Sequence, residues 1–273
     1  MRRSVLYMPA ANERAMEKAK AIACDAVIFD LEDAVAPDAK EAARAMAVAA
    51  ASSPDYGHCE LTIRCNSLDT PWGADDLAAA SASNAAAIVM PKVSSVAELD
   101  RIAEHTSKPV WAMVETPAAI LDVRNIAAHP SVAVLVMGTN DLARELRSSG
   151  RAALVPSLSM ALLAARAAGK DILDGVFNDV KDDDGFRAEC RHGFEMGFDG
   201  KTLIHPGQVD ICNEVWTPTS DEVAYAQTVV AAFKAALAEG RGVATVNGRM
   251  IENLHVANAE RVLAIASAAG RYG

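Results

Sequence analysis

An apolar run, Val110-Trp111-Ala112-Met113-Val114, stops abruptly on a carboxylate, Glu115, with Thr116 and Pro117 behind it. A second apolar run, Val132 to Met137, passes through Gly138 into Thr139, Asn140 and Asp141. Runs of this kind form strands covered on both faces, and a charge at the tip of such a strand is costly unless something there uses it. Two strands that each deliver one carboxylate, with no His or Cys beside them, suit a hard cation bound through oxygen. Mg²⁺ fits best, because it retains water and leaves positions for substrate oxygens. Each carboxylate also has a structural reading, since an acidic residue is favourable in the first turn of a helix.

Other charged residues follow apolar runs in the same way. Phe29-Asp30-Leu31-Glu32-Asp33 carries three acids at one strand end. Asp30 or Asp33 would hydrogen-bond metal-held water or orient a neighbouring arginine, while Glu32 reads equally well as part of a solvated loop. Arg64, in Ile63-Arg64-Cys65-Asn66, presents a guanidinium that can grip a carboxylate with two parallel bonds or form an ion pair with those acids. Lys92 and Lys201 share that ambiguity. His205 stands alone and is given no chemical step, and Asp182, Asp183 and Asp184 read as a solvated helix start.

The elements that must position these groups alternate along the chain. Strands are expected at Ser4–Met8, Ala26–Leu31, Leu61–Cys65, Ala87–Met90, Val110–Glu115, Val132–Met137, Ile172–Val176 and Thr202–Ile204. Ala-rich helical stretches fall between them, near 12–23, 38–51, 73–83, 95–105, 117–127, 157–168, 183–196 and 207–215. Eight strand–helix units make a (β/α)8 TIM barrel, whose active site lies at the C-terminal ends of the strands. A doubly wound open sheet is the alternative, but no Gly-rich dinucleotide fingerprint accompanies it. The barrel is assigned to residues 1–216 and a C-terminal helical extension to 217–273, packing on the barrel or on a neighbouring subunit. In that extension a helix over Ser220–Glu239 and another near 253–269 flank Asn247-Gly248, a tight-turn signal.

Bulk properties narrow the function. A net charge of −10 and a pI near 5.1 argue against nucleic-acid or anionic-membrane binding. The five cysteines form no CxxC pair, and the start shows no secretory h-region. No uninterrupted apolar stretch approaches about 18 residues, so no membrane span is expected and the protein is read as cytoplasmic.

Seven motifs occur in order over nearly the whole chain: Arg3-Ser4-Val5-Leu6-Tyr7-Met8-Pro9, Asp30-Leu31-Glu32-Asp33-Ala34-Val35, Ile63-Arg64-Cys65-Asn66, Pro91-Lys92, Glu115-Thr116-Pro117, Asn140-Asp141-Leu142 and Gly200-Lys201-Thr202-Leu203-Ile204-His205-Pro206-Gly207-Gln208. Together they resemble the citrate lyase β-subunit-like (CitE-like) branch of the HpcH/HpaI aldolase superfamily. The resemblance implies a Mg²⁺-dependent carbon–carbon lyase that splits a β-hydroxy acyl thioester of CoA or an acyl carrier (citramalyl, malyl or citryl) into an oxoacid and a shorter thioester. It implies Glu115 and Asp141 as metal ligands and Arg64 as the grip on the acid end of the substrate. It also places Arg14 and Lys18 near CoA phosphates and suggests a homo-oligomer, a trimer or a multiple of one. A malyl-CoA thioesterase or an aldolase on free hydroxy-oxoacids would use the same site, and a non-catalytic metal- and oxoacid-binding subunit is the reading from another class. The tail departs from the family. Members commonly have Gly-x-Met-Ile-Asp, whose Asp is the proposed acid/base, whereas this chain has Gly248-Arg249-Met250-Ile251-Glu252. Glu252 keeps the carboxylate one methylene further out and is the candidate for that step.

Overall fold

The computed structural model describes residues 1–57 and 59–270. Eight parallel strands close into a barrel in sequence order: β1 (Ser4–Pro9), β2 (Ala26–Asp30), β3 (Glu60–Arg64), β4 (Ala87–Met90), β5 (Val110–Val114), β6 (Val132–Met137), β7 (Asp171–Asp174) and β8 (Gly200–Leu203), which pairs back to β1. Around them run α1 (Glu13–Ala19), α2 (Lys40–Ala51), α3 (Gly73–Ala82), α4 (Val96–Ala103), α5 (Pro117–Ala128), α6 (Thr139–Glu145), α7 (Val155–Ala168), α8 (Asp183–Met196) and α9 (Gln208–Trp216). The TIM barrel expected from the alternation is therefore present. The boundaries differ at β7 and β8, which start and stop earlier than the apolar residues suggest. Closure needs only a short hydrogen-bonded overlap, Leu173 with Gly200 and Asp174 with Lys201.

The chain divides into two compact units, Arg2–Asn213 and Glu214–Gly273 together with Met1. In the second, α10 (Ser220–Ala238) starts from a capping box in which Thr219 and Glu222 satisfy each other's main-chain N–H groups. A hairpin of β9 (Ala244–Val246) and β10 (Arg249–Ile251) turns through Asn247 and Gly248, both with positive φ, and leads into α11 (Asn253–Ala268). Phe233, Ala236, Val246 and Ile251 are among the residues that form this unit's own core.

One stretch amends the expectation of no membrane-length segment: Arg151–Ala168 is long and apolar enough by composition to cross a bilayer. In the fold α7 lies against α5, β6 and β7, and buries Leu158, Ala161 and Ala165 at 0% exposure. Its buried apolar residues serve the barrel wall, while Met160 and Leu163 are exposed.

Candidate active site at the barrel mouth

Alternate residues of a strand face opposite sides. Val5, Ala26, Ile28, Ala87, Val89, Trp111, Met113, Val134, Val136 and Leu173 pack as one cluster and fill the barrel interior. Two residues beyond Ile28, Thr62 and Met113, the same inward parity brings Asp30, Arg64 and Glu115 to the rim. There they line a cavity of about 380 Å³ with Tyr7, Asp33 and Asp141. Thus five sequence-selected residues, Asp30, Asp33, Arg64, Glu115 and Asp141, share one cavity.

Arg64 is nearly fully buried. Its Nε and Nη2 donate to the two oxygens of Asp30, both at 2.6 Å, and its Nη1 lies 2.8 Å from Glu32 Oε2. The guanidinium carbon sits 5.0 Å from the centroid of the Tyr7 ring. Burial disfavours the charge, but Asp30 and Glu32 hold the arginine charged and raise its pKa. Asp30 is fixed in turn by the main-chain N–H groups of Glu32 at 2.8 Å and Ala34 at 3.3 Å. Asp33 is peripheral, 3.9 Å from Nη1 and largely exposed. Asp30 takes two of the five N–H bonds on the guanidinium, while Nη1 is ion-paired with Glu32 and donates to the weakly accepting Met113 sulfur at 3.9 Å.

Glu115 stands where β5 ends because Thr116 caps α5 and Pro117 opens it, so strand passes to helix within two residues. The carboxylate is 2% exposed, and its Oε1 accepts the Lys92 main-chain N–H at 2.7 Å. Burial, then the negative charge of Glu32, pushes its pKa up to about 7, with Asp141 adding to the rise. Lys92 itself takes φ +54, a left-handed conformation that costs a non-glycine residue roughly 1 kcal/mol or more. Its Nζ reaches Glu32 Oε1 at 2.9 Å. Gly138 makes room for Glu115: a Cβ there would stand 2.3 Å from Oε2.

Asp141 lies in the first turn of α6, a short helix that the sequence pattern did not announce, and its Oδ1 is 2.8 Å from Arg144 Nη2. It therefore occupies a helix N-terminus and the cavity at once. Asn140 exchanges two side-chain hydrogen bonds with Asn178, at 3.1 and 2.8 Å, and so ties α6 to the loop after β7. Among the described residues no group of three or more His, Cys, Asp and Glu gathers as a ready-made metal cage. Two mutually repelling carboxylates, one of them buried without a cation in contact, fit an ion that keeps water and takes its other oxygens from a ligand, as Mg²⁺ does.

Other residues fall elsewhere. Lys201 is not at the rim. It faces outward from β8 at 0% exposure, its Nζ 3.0 Å from Asp174 and 2.7 Å from Glu189, because one step along a strand reverses the side. Arg14 and Lys18 lie on the exposed face of α1. Glu252, in the C-terminal unit, is exposed at the N-cap of α11, where its main-chain N–H donates to His255 Nδ1 at 3.1 Å. His205 is exposed and accepts the Gly207 N–H through Nδ1. Two supporting residues escaped the sequence pattern. Lys40, at 5% exposure, donates to Leu31 O, Glu32 O and Asn66 Oδ1, pinning the acidic loop. Tyr7 lines the cavity with the Met113 sulfur, at 3.8 Å, as its hydroxyl partner among the described residues, and burial raises its pKa so that it stays neutral. Tyr7 was visible in its strand motif, whereas nothing local marks Lys40 as buried.

Fold and rim chemistry define the class, a (β/α)8-barrel enzyme whose site opens at the C-terminal ends of its strands. Within that class, the chain belongs to the HpcH/HpaI aldolase/citrate lyase family, whose profile matches residues 3–206. It is 50% identical to a (3S)-malyl-CoA thioesterase of Cereibacter sphaeroides, over 99% of this chain and 96% of that protein. With the citrate lyase subunit beta of Escherichia coli it shares 35% identity over 98% of this chain and 94% of the relative. Among solved structures, CitE of Mycobacterium tuberculosis in complex with magnesium, acetoacetate and coenzyme A aligns with a TM-score of 0.82 at 31% identity, covering 97% of this chain and 98% of that one.

Proposed function

We propose that the protein hydrolyses a malyl-CoA-type thioester to the free hydroxy acid and CoA. One observation carries the choice within the family: 50% identity to a (3S)-malyl-CoA thioesterase against 35% to a citrate lyase β subunit, each over nearly the whole chain. The weight thus moves from carbon–carbon cleavage, first in the sequence reading, to the thioesterase that shares its site.

Glu115 and Asp141 would hold Mg²⁺, and bound there the ion supplies positive charge for negative charge developing on substrate oxygens. The guanidinium of Arg64, on the N–H groups that Asp30 does not take, would grip the terminal carboxylate of the malyl group, with Asp30 fixing the plane of the fork. The Tyr7 hydroxyl, whose partner among the described residues is a weakly accepting sulfur, offers a neutral donor to a substrate oxygen. Met113, Met137, Val176 and Ile204 give the cavity an apolar side for the acyl chain. Arg14 and Lys18 are offered to CoA phosphates and Glu252 to proton transfer within a homo-oligomer, on the family resemblance.

Incubation with (3S)-malyl-CoA and Mg²⁺ tests the reading. Malate and free CoA should appear in equal amounts and vanish on chelation. Glyoxylate with acetyl-CoA would restore the lyase, and release of neither would leave a binding subunit.

A further inference from the structure

Lys92 is joined to both halves of the site by different parts of itself. Its main-chain N–H donates to Glu115 Oε1 at 2.7 Å, on the side assigned to the metal. Its Nζ donates to Glu32 Oε1 at 2.9 Å, and the other oxygen of that carboxylate is 2.8 Å from Arg64 Nη1, on the side assigned to the substrate carboxylate. The residue follows β4 and Pro91 and holds φ +54. Rotation about N–Cα sets the angle between the N–H and Cα–Cβ bonds. Near the usual φ of about −60° the two point the same way, and a left-handed φ swings them apart. One residue can then serve two carboxylates on different sides. The Lys92 carbonyl accepts the Ser94 hydroxyl at 3.0 Å, and that hydroxyl also pairs with Thr116 Oγ1 at 3.0 Å, which caps the helix behind Glu115. The unfavourable backbone is therefore held from three directions.

Glu32 is the relay. It is 7% exposed, and its carboxylate is divided between two cations, Oε1 to Lys92 and Oε2 to Arg64. Lys40 fixes its main chain from below through the Glu32 carbonyl at 2.7 Å. With main chain and one oxygen fixed, the second oxygen has one direction left, toward Nη1. That contact holds the Nη1 side of Arg64, while Asp30 holds its Nε and Nη2.

We propose that Lys92 is a positioning residue that couples the two halves of the site: its main chain sets Glu115, and its side chain sets Arg64 through Glu32. The proposal rests on reading Glu115 as a metal ligand and Arg64 as the grip on the substrate carboxylate. It accounts for a left-handed lysine where a glycine would sit without strain, since glycine would keep the N–H and lose the ammonium.

K92M, made in the full-length protein, separates the two arms, because it keeps the N–H and removes the ammonium. The Lys92 side chain is 43% exposed, so the substitution leaves the core intact. In a crystal structure of K92M, Glu115 Oε1 should keep its bond to the main-chain N–H of residue 92, while Glu32 moves out of hydrogen-bond reach of Arg64. Mg²⁺ binding measured by calorimetry should change less than about twofold, and KM for malyl-CoA should rise roughly tenfold with a smaller change in kcat, the size of one charge-assisted hydrogen bond. K92R should recover most of that KM, and K92M added to E32Q should cost nothing further. A K92M crystal structure with the Glu32–Arg64 contact in place overturns the proposal, as do losses from K92M and E32Q that simply multiply. The crystallographic arm needs no turnover, so a wild type inactive toward malyl-CoA would sink the functional reading and leave the coupling to be judged on its own.

Discussion

Two buried carboxylates end neighbouring regions of the same barrel and behave oppositely. Asp174, the last residue of β7, faces outward at 0% exposure, where Arg151 donates at 3.1 and 2.8 Å and Lys201 at 3.0 Å. Burial works against its charge, but Lys201 and Arg151 prevail and its pKa is lowered. Glu115, just beyond β5, faces inward and has one main-chain N–H in contact, with Glu32 and Asp141 repelling it, and its pKa rises to about 7. The outer cluster is an ion network complete within the protein. The inner carboxylate is left with repelling neighbours, which is the setting the proposed cation would relieve. An acid left buried without its counter-charge is a better pointer to a functional site than the number of charges nearby.

Exchanging the two charges for neutral groups should break this contrast most strongly. Glu115→Ala is expected to lower Mg²⁺-dependent turnover by about 10³-fold, with unfolding free energy unchanged or slightly higher. Asp174→Asn leaves Lys201 and Arg151 buried against an amide and should destabilise the fold by about 3–5 kcal/mol in urea unfolding. If Glu115→Ala unfolds the protein and Asp174→Asn does not, the roles assigned here are reversed. Next comes Gly138→Ala, whose Cβ would meet Glu115 Oε2 at 2.3 Å. It should cost about 10²-fold in turnover through misplacement of Glu115, together with about 1–3 kcal/mol of overpacking. Normal kinetics in that variant would show that Glu115 has slack to move.

Acidity sharpens the same comparison. In its proposed role as a metal ligand, Glu115, with a pKa of about 7, must lose its proton to bind Mg²⁺, so apparent affinity should fall about tenfold per unit as pH drops below that value. Calorimetric titrations flat down to pH 5 would contradict it. Stability should respond with opposite signs. Without metal, the folded state holds the Glu115 proton more tightly than the unfolded state does, so stability declines as pH rises from 4.5 toward 7. Asp174, with its pKa lowered from 3.8, contributes stability that is present above that value and lost as pH falls through the folded pKa. The smallest effect expected is at Arg14 and Lys18, both exposed: each alanine variant should raise KM for the thioester no more than about fivefold and leave Mg²⁺ binding unchanged. A larger rise would mean that α1 closes on the ligand.

Much of this was legible in the chain itself. Continuous apolar runs spaced by Ala-rich helical stretches are enough to require a covered parallel sheet, and eight of them to close it. The residue at which each run stops is a local fact, so Asp30, Arg64 and Glu115 could be chosen from sequence, and parity along a strand then carried them to one rim. Asp141, read as standing at a strand end, lines the cavity from the first turn of α6, which at seven residues is too short for a clear helical period.

What the sequence by itself determined about this protein is the barrel, its family, and the chemical types gathered at the mouth, since these follow from periodicity and from residues adjacent in the chain. The tertiary structure alone decided which charges neutralise one another. Lys201 and Lys92 look alike in sequence, yet one faces outward into a closed ion network and the other takes a left-handed turn between Glu115 and Glu32. Lys40, unremarked in the chain, is the buried cation that holds the acidic loop. Charge pairing depends on distances across strands and loops far apart in sequence, and closing the barrel is what sets them.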